Sequence, residues 1–270
     1  MPGIVSSAYT LGDYIKTQSL ADEGESRRTI LSLLTRGASG FYKLNQPLID
    51  VAVNTARNAL QQSGIAANEV DVLLIGSNSL RSDHFSKDFG QDLLSQLALK
   101  DAYVQLVGFQ NCGDSIPLLK TASSLINSGD ARNVLIVIAD DVEASKIPRV
   151  LKDSYVHSDG ASAVVVSCQS RGLSLINSAI RHLELKPDEN FDPNDLGAKL
   201  NSLLTVAKDL TTQLFVDGGS PQFVISHNMN QLYSHEIAKA FGINADSIFC
   251  DYELGHCLAS DIFININKTL

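Results

Sequence analysis

Val134-Leu-Ile-Val-Ile-Ala139, "VLIVIA", decides the architecture. It is an unbroken apolar run rich in β-branched residues and too short for a helix. That combination predicts a strand covered on both faces, at the centre of a sheet. Outward from it, Ala161–Ser167, "ASAVVVS", reads as a second strand after an Asp159-Gly160 turn. On the N-terminal side a buried helix, Ile116–Ile126, stops at Gly129 and follows a strand near Ala102–Val107. Phe89, Leu93, Leu94 and Leu97 mark another helix, preceded by a strand over Val70–Ile75. Leu48–Gln62 carries helical spacing and ends at Ser63-Gly64, and Ile4–Tyr9 opens the chain as a strand. Residues 11–46 are polar and without a clear period.

The pattern restarts near residue 172. Leu173–Ala179 is read as a strand, Leu196–Leu214 as a helix and Phe223–Ile225 as a strand. A helix over Leu232–Phe241, a strand over Ser247–Cys250 and a helix beginning at Cys257 complete it. Alternating strands and helices imply an α/β fold with a mainly parallel sheet. The restart implies two similar halves sharing one body, since no flexible linker separates them.

The chain has 270 residues, 44% hydrophobic and 19% charged, which suits a globular protein with a real core. No apolar run approaches the ~20 residues a membrane helix needs. The N-terminus lacks the basic start and apolar block of a secretory signal, so a cytoplasmic location is expected. A formal charge of −9 without a Lys/Arg stripe argues against nucleic acid. It also disfavours broad attraction to an acidic carrier protein, unless Lys146, Arg149 and Lys152 form a local basic patch. The cysteines (Cys112, Cys168, Cys250, Cys257) show no metal-type pairing and are expected reduced. No phosphate-cradling glycine loop is present. No ligand-spaced cluster suggests a metal, and no carboxylate stands out for acid–base work.

Three residues sit where chemistry is easiest to place. Cys112 lies in "GFQNCGDSIP", residues 108–117, between a strand and a helix start. It is either a small core residue or a nucleophile whose thiolate is stabilised by the positive end of a helix. In the second case Gly113 leaves room for an acyl group, and its N–H or that of Cys112 faces a carbonyl oxygen. His227 directly follows the strand "QFVIS", at the end where open α/β sheets present ligands. It can hydrogen-bond or shuttle a proton, or simply cap a helix. His256, in "ELGHCLASD", occupies a similar junction after a glycine. His84, His157, His182 and His235 read as surface or packing residues.

Taken in order, the Cys112 turn, "DGASAVVVS" (159–167), "VISHNMNQ" (224–231) and "YELGHCLAS" (252–260) resemble the thiolase-fold condensing enzymes. The resemblance is to the β-ketoacyl-acyl-carrier-protein synthase III group and its acyltransferase relatives. It implies a thiolase-like fold of layered α/β/α/β/α type built from two βαβαβ-type halves. Residues 1–169 would carry the nucleophilic cysteine. Residues 170–270 would carry both histidines in a shortened half. It implies acyl transfer or Claisen-type condensation through an acyl-Cys112 thioester, with His227 activating the thiol or donating a hydrogen bond. His256 stands where the group usually has asparagine, which is compatible with decarboxylative condensation or with a changed acceptor. Asn230 matches an asparagine near the pantetheine arm, and Thr35-Arg36 a pair that helps hold coenzyme A. The implied partners are acyl-CoA or acyl carrier protein and a second copy or related synthase. The substrate thioester would be the only small molecule required, with no separate cofactor or metal. Phe109-Gln-Asn replaces an alanine-rich stretch, tryptophan is absent, and family members continue beyond the position of Leu270 into strands that help form an oxyanion hole. That leaves two other readings, a partner subunit of a heteromeric synthase and a Cys-His thioester hydrolase.

Overall fold

The computed structural model describes residues 1–79, 88–108, 110–151, 154–169, 172–175, 205–206, 208–209, 211–215, 219 and 221–269. Its largest sheet is built from β1 (Gly3–Leu11), β4 (Val72–Gly76), β5 (Tyr103–Leu106), β6 (Asn133–Asp140), β9 (Gly160–Ser167) and β10 (Leu173–Ser174), in the order β10-β1-β9-β6-β4-β5. The "VLIVIA" run lies inside β6, and every residue of β6 and β9 is buried. Two hairpins stand apart from this sheet: β2 (Asp13–Lys16) pairs with β3 (Gly40–Lys43), and β7 (Val150–Leu151) with β8 (Tyr155–Val156).

The sheet is mixed rather than mainly parallel. β4 runs parallel to both β5 and β6, but β9 is antiparallel to β6 and to β1, and β10 is antiparallel to β1. The cause lies in the β6–β9 connection, which returns through the small β7–β8 hairpin. A parallel return needs a long crossover, usually a helix. Asp159-Gly160 is not a turn either. Asp159 is buried, ion-paired to Arg149 at 2.8 Å, and accepts from the backbone N–H groups of Leu44 and Val142.

Helices cover both faces. α2 (Leu48–Ser63) and α3 (Phe89–Gln96) close one core through Val51, Ala56, Leu60 and Leu93 against Leu73, Leu135 and Val165. α4 (Ser115–Ser128) and α6 (Asp261–Thr269) close the other, where Leu118, Ala122, Phe263 and Ile266 meet Val72, Ile136, Ile138 and Val164. α6 packs on β1 and β9 and also touches β11 (Val224–Ile225), which pairs in parallel with β12 (Ile248–Phe249). Layers therefore succeed one another as helix, sheet, helix and a second, small sheet. Among the described residues that second sheet has two strands.

The polar segment 11–46 folds into the β2–β3 hairpin and α1 (Arg27–Thr35), whose N-terminus is capped by Ser26. α5 (Gln231–Phe241) closes at Gly242 as the sequence predicts. Of the strand expected over Leu173–Ala179, Leu173–Ser174 is strand, and residues 176–179 lie outside the described residues. The helix at Cys257 begins instead at Asp261, after a tight turn over Leu258–Ser260. Of the helix expected over Leu196–Leu214, helical backbone is described at 205–206, 208–209 and 211–214.

Candidate active site

Cys112 occupies a single tight turn, Asn111–Gly113, immediately before α4. Asn111 takes a left-handed conformation with φ 52°, a geometry uncommon outside glycine and characteristic of functional turns. Asp114 holds the turn closed. Its carboxylate accepts the Gln110 N–H at 2.9 Å, while its own N–H donates to Asn111 O. Burial and, more weakly, the Asp140 carboxylate push Asp114 up to about 6, against the Gln110 hydrogen bond. Gly113 spends its N–H on Gln110 O, so it is not a free donor to a substrate carbonyl. Among the described residues, a Cβ at Gly113 would meet only Gln110 Cβ at 3.8 Å.

His256 reaches the cysteine. Its Nε2 lies 3.0 Å from Cys112 Sγ and its Nδ1 donates to Asp261 Oδ2 at 2.5 Å. The ring is fully buried. Its backbone is clamped in a bridge with His157: His256 N–H donates to Val156 O, and Ser158 N–H to His256 O. Gly255 makes the clamp possible. It has φ 66°, and a Cβ there would lie 2.7 Å from Ser158 Oγ and 2.9 Å from Val156 O.

His227 approaches from the end of β11. Its Nδ1 lies 3.3 Å from the same Asp261 Oδ2, and its ring stands edge-on to His256 with centroids 5.5 Å apart. Asp261, the first residue of α6, is fully buried. It is further fixed by Asn228 N–H at 2.8 Å, Asn228 Nδ2 at 3.3 Å and Cys257 N–H at 2.7 Å.

The electrostatics follow from that packing. Burial alone disfavours the imidazolium of His256, but Asp261 and Cys112 outweigh it and raise the group to about 10. Burial would likewise raise Asp261, yet both histidines hold its carboxyl well below the usual range. His157, also buried, is lowered to about 4 by burial and then by His256. Tyr155 stacks edge-on against both His157 and His256 at 5.2 Å. Burial and then Cys112 raise both Tyr155 and Tyr233.

The remaining candidates lie further out. Asn230 is buried at the start of α5, where its side chain caps the helix through Tyr233 N–H and donates to Ser154 O. Arg36 closes α1, and its backbone carbonyl accepts Gln231 N–H, so it borders the same helix start. Arg149 is withdrawn from the expected Lys146–Arg149–Lys152 patch. Arg149 is turned inward onto Asp159 and His157 O, and its guanidinium lies over Phe41. Lys152 lies outside the described residues, as do His84, His182 and Phe109.

The ligand atoms of His227, His256 and Asp261 lie within 4.8 Å of one another, a grouping that could hold a metal ion. Sequence spacing hid it because His227 comes from a different loop from His256 and Asp261. Both His256 nitrogens are already engaged and Asp261 is saturated with donors, so an ion would have to break that network. Asp261 itself escaped the sequence reading, because nothing local separates it from the other acidic residues. Its available signal was position, five residues after His256 at the start of an apolar helix.

Residues 110–182 match the family model for 3-oxoacyl-[acyl-carrier-protein] synthase III. A β-ketoacyl-[acyl-carrier-protein] synthase III of Clostridium perfringens is 24% identical over 231 residues, covering 86% of this chain. Another from the same species is 25% identical over 171 residues. The chain spans 65% and 52% of the lengths of these relatives. The solved structure of 3-oxoacyl-[acyl-carrier-protein] synthase III from Aquifex aeolicus superposes with TM-score 0.77 at 19% identity, covering 100% of this chain and 90% of that one. The acyltransferase ChlB3 superposes with TM-score 0.80 at 17% identity, covering 99% and 88%. The chain has the thiolase-like fold of these condensing enzymes and is synthase III-like in sequence.

Proposed function

We propose that this synthase III-like chain transfers acyl groups through a thioester on Cys112. The reading is carried by one line of atoms: Cys112 Sγ, 3.0 Å to His256 Nε2, and His256 Nδ1, 2.5 Å to Asp261. That is the nucleophile–base–orienter arrangement of covalent acyl transfer. The thiol proton of Cys112 is held on His256 Nε2, opposite Asp261, and sulfur adds to the carbonyl carbon of an acyl-CoA or acyl-carrier-protein thioester. The departing thiolate then carries the proton away, leaving acyl-Cys112 and a neutral His256. His227, partly exposed, faces the reacting groups from the other side. Gly113 leaves room for the acyl chain, and Arg36 and Asn230 border its approach. The thioester brings its own activation, so no separate cofactor is needed.

Residues 1–169 and 170–270 would be the two thiolase-like halves, with the reaction at their seam. Tyr103 and Leu106 are each 48% exposed on β5, the sheet's edge strand among the described residues, and favour pairing with a second copy, because an unpaired apolar edge is a template for another strand. Light scattering should find a dimer that Leu106→Lys weakens.

The test of the chemistry is intact-mass analysis after incubation with acyl-CoAs of graded length and with acyl-carrier-protein donors. One acyl adduct should form and be absent in Cys112→Ala. No adduct from any donor would refute the reading.

A further inference from the structure

We infer that Asn228 is a positioning residue of this site: its amide fixes the plane of the Asp261 carboxylate and, through it, sets His227 and His256. As a role in acyl transfer this rests on the acyl-Cys112 reading. As a role in the reactivity of the sulfur it is testable alone.

Asp261 is a crowded acceptor. Its Oδ2 receives His256 Nδ1 at 2.5 Å, Asn228 N–H at 2.8 Å and His227 Nδ1 at 3.3 Å. Its Oδ1 receives Cys257 N–H at 2.7 Å and Asn228 Nδ2 at 3.3 Å. An ionised carboxylate offers about four lone-pair sites, so these donors compete. A small rotation of the carboxylate decides which of them is served. Among the described residues Asn228 alone grips both oxygens, one through its main chain and one through its side chain. That pair of contacts resists the rotation.

The amide is held in turn. Its Oδ1 accepts Asp251 N–H at 2.7 Å and Asn265 Nδ2 at 2.8 Å. A backbone N–H only donates, so this oxygen cannot trade places with Nδ2, and Nδ2 must face Asp261. The side chain is wholly buried, where a lost partner is not replaced by solvent. Asn228 directly follows His227, and Asp251 opens the segment that leads to His256. One amide therefore ties both histidine-bearing loops to the carboxylate they share.

Asn228→Asp separates this role from packing. It keeps the volume and the oxygen that serves Asp251 and Asn265, and replaces only the donor to Asp261. While the introduced carboxyl is protonated, its O–H still donates to Asp261 Oδ1. Once ionised, it sets two carboxylates side by side, which repel, and Asp261 is driven out of plane. Of the titratable groups that sense Asp261, His227 and His256 touch it, whereas Tyr155, His157, Cys250 and Cys257 act through space. Asp251 is paired with Lys268 at 2.5 Å. All of these are common to parent and variant, so a new pH dependence belongs to the introduced carboxyl.

The experiment follows the Cys112 peptide of the full chain by mass, during alkylation with iodoacetamide and during acylation by an acyl-CoA, across the range from weakly acidic to weakly alkaline pH. For Asn228→Asp the ratio of variant to parent rate should fall roughly tenfold or more from the acidic to the alkaline end, with the far-ultraviolet circular dichroism unchanged. Asn228→Ala removes the donor without adding a charge. It should slow both reactions roughly tenfold and displace the pH profile of alkylation, because the carboxylate is then free to turn away from His256.

A ratio that stays flat with pH in Asn228→Asp would overturn the inference and leave Asn228 a packing residue. So would parent-like rates in Asn228→Ala, the variant that decides the matter if Asn228→Asp does not fold. If the parent accepts no acyl donor while alkylation behaves as expected, the acyl-transfer reading falls and the positioning role of Asn228 stands.

Discussion

At the scale of single residues, two buried carboxylates behave in opposite ways. Asp261 faces two histidines and is held ionised, whereas Asp114 has no such partner among the described residues and is pushed up by burial. Ionised Asp114 therefore works against the fold. The cost is absent below its ordinary value of 3.8, grows as pH rises through about 6, and is complete above. Asp114→Asn keeps an oxygen for Gln110 N–H and removes the charge. The variant should be more stable than the parent at pH 8 by roughly 1–3 kcal/mol in urea, with the gap closing towards pH 4. A variant less stable at pH 8 would refute this. The His256–Asp261 pair runs the other way. His256 is raised from 6.5 to about 10, so its contribution is whole below 6.5 and lost as pH climbs through 10. The contribution of Asp261 is whole above its ordinary 3.8 and lost only in strong acid. Asp261→Ala should cost about 3–5 kcal/mol between pH 4 and 6.5, since it strands a buried cation, and progressively less towards pH 10. A gap that widens above pH 8 would mean that His256 is not the cation in this pair.

At the scale of elements, the site is assembled from turns that rigid strands and helices hold in register. The Cys112 turn hangs from α4, His227 from β11, and His256 from its bridge to the end of β8. This explains what the sequence made legible. The buried strand "VLIVIA", the helix before Gly242 and the junction positions of Cys112, His227 and His256 follow from local pattern and chain punctuation. The mixed strand directions, the inward turn of Arg149 and the convergence on Asp261 do not. Each depends on a partner far away in the chain: Arg149 on Asp159 and Phe41, and Asp261 on His227 and Asn228. Gly255 is where element geometry and chemistry meet. Gly255→Ala adds a Cβ at a left-handed φ, with Ser158 Oγ at 2.7 Å and Val156 O at 2.9 Å. Something must give, and the bridge that carries His256 is the softer side. The substitution should cost about 1–3 kcal/mol and slow Cys112 acylation by tenfold or more. Parent-like acylation kinetics would mean that the bridge does not set the ring's position.

At the scale of the whole molecule, the question is whether the two halves proposed above, residues 1–169 and 170–270, can part without losing the site. α6 argues that they cannot. Asp261, at its start, orients both histidines. Along the same helix Phe263 and Ile266 are buried against the large sheet with Ile4, Val164 and Val166. Ser7 Oγ donates to Phe263 O at 2.9 Å, and Asn267 Nδ2 donates to Ser7 O, tying the helix to the first strand. On its other side Asn265 Nδ2 donates to Ser226 O and Asn228 Oδ1 at 2.8 Å, next to His227. One short helix thus joins the opening strand of the chain to the loop bearing His227. Phe263 is wholly buried against the large sheet, so Phe263→Ala probes that joint. Truncating such an aromatic costs about 3–5 kcal/mol. If α6 couples the halves, urea should unfold this variant in one transition at a lower midpoint, with far-ultraviolet circular dichroism and loss of Cys112 acylation falling together. If acylation vanished at a urea concentration where the dichroism was still native, the second half would be melting alone, and α6 would be a cap on the sheet and not the joint between the halves.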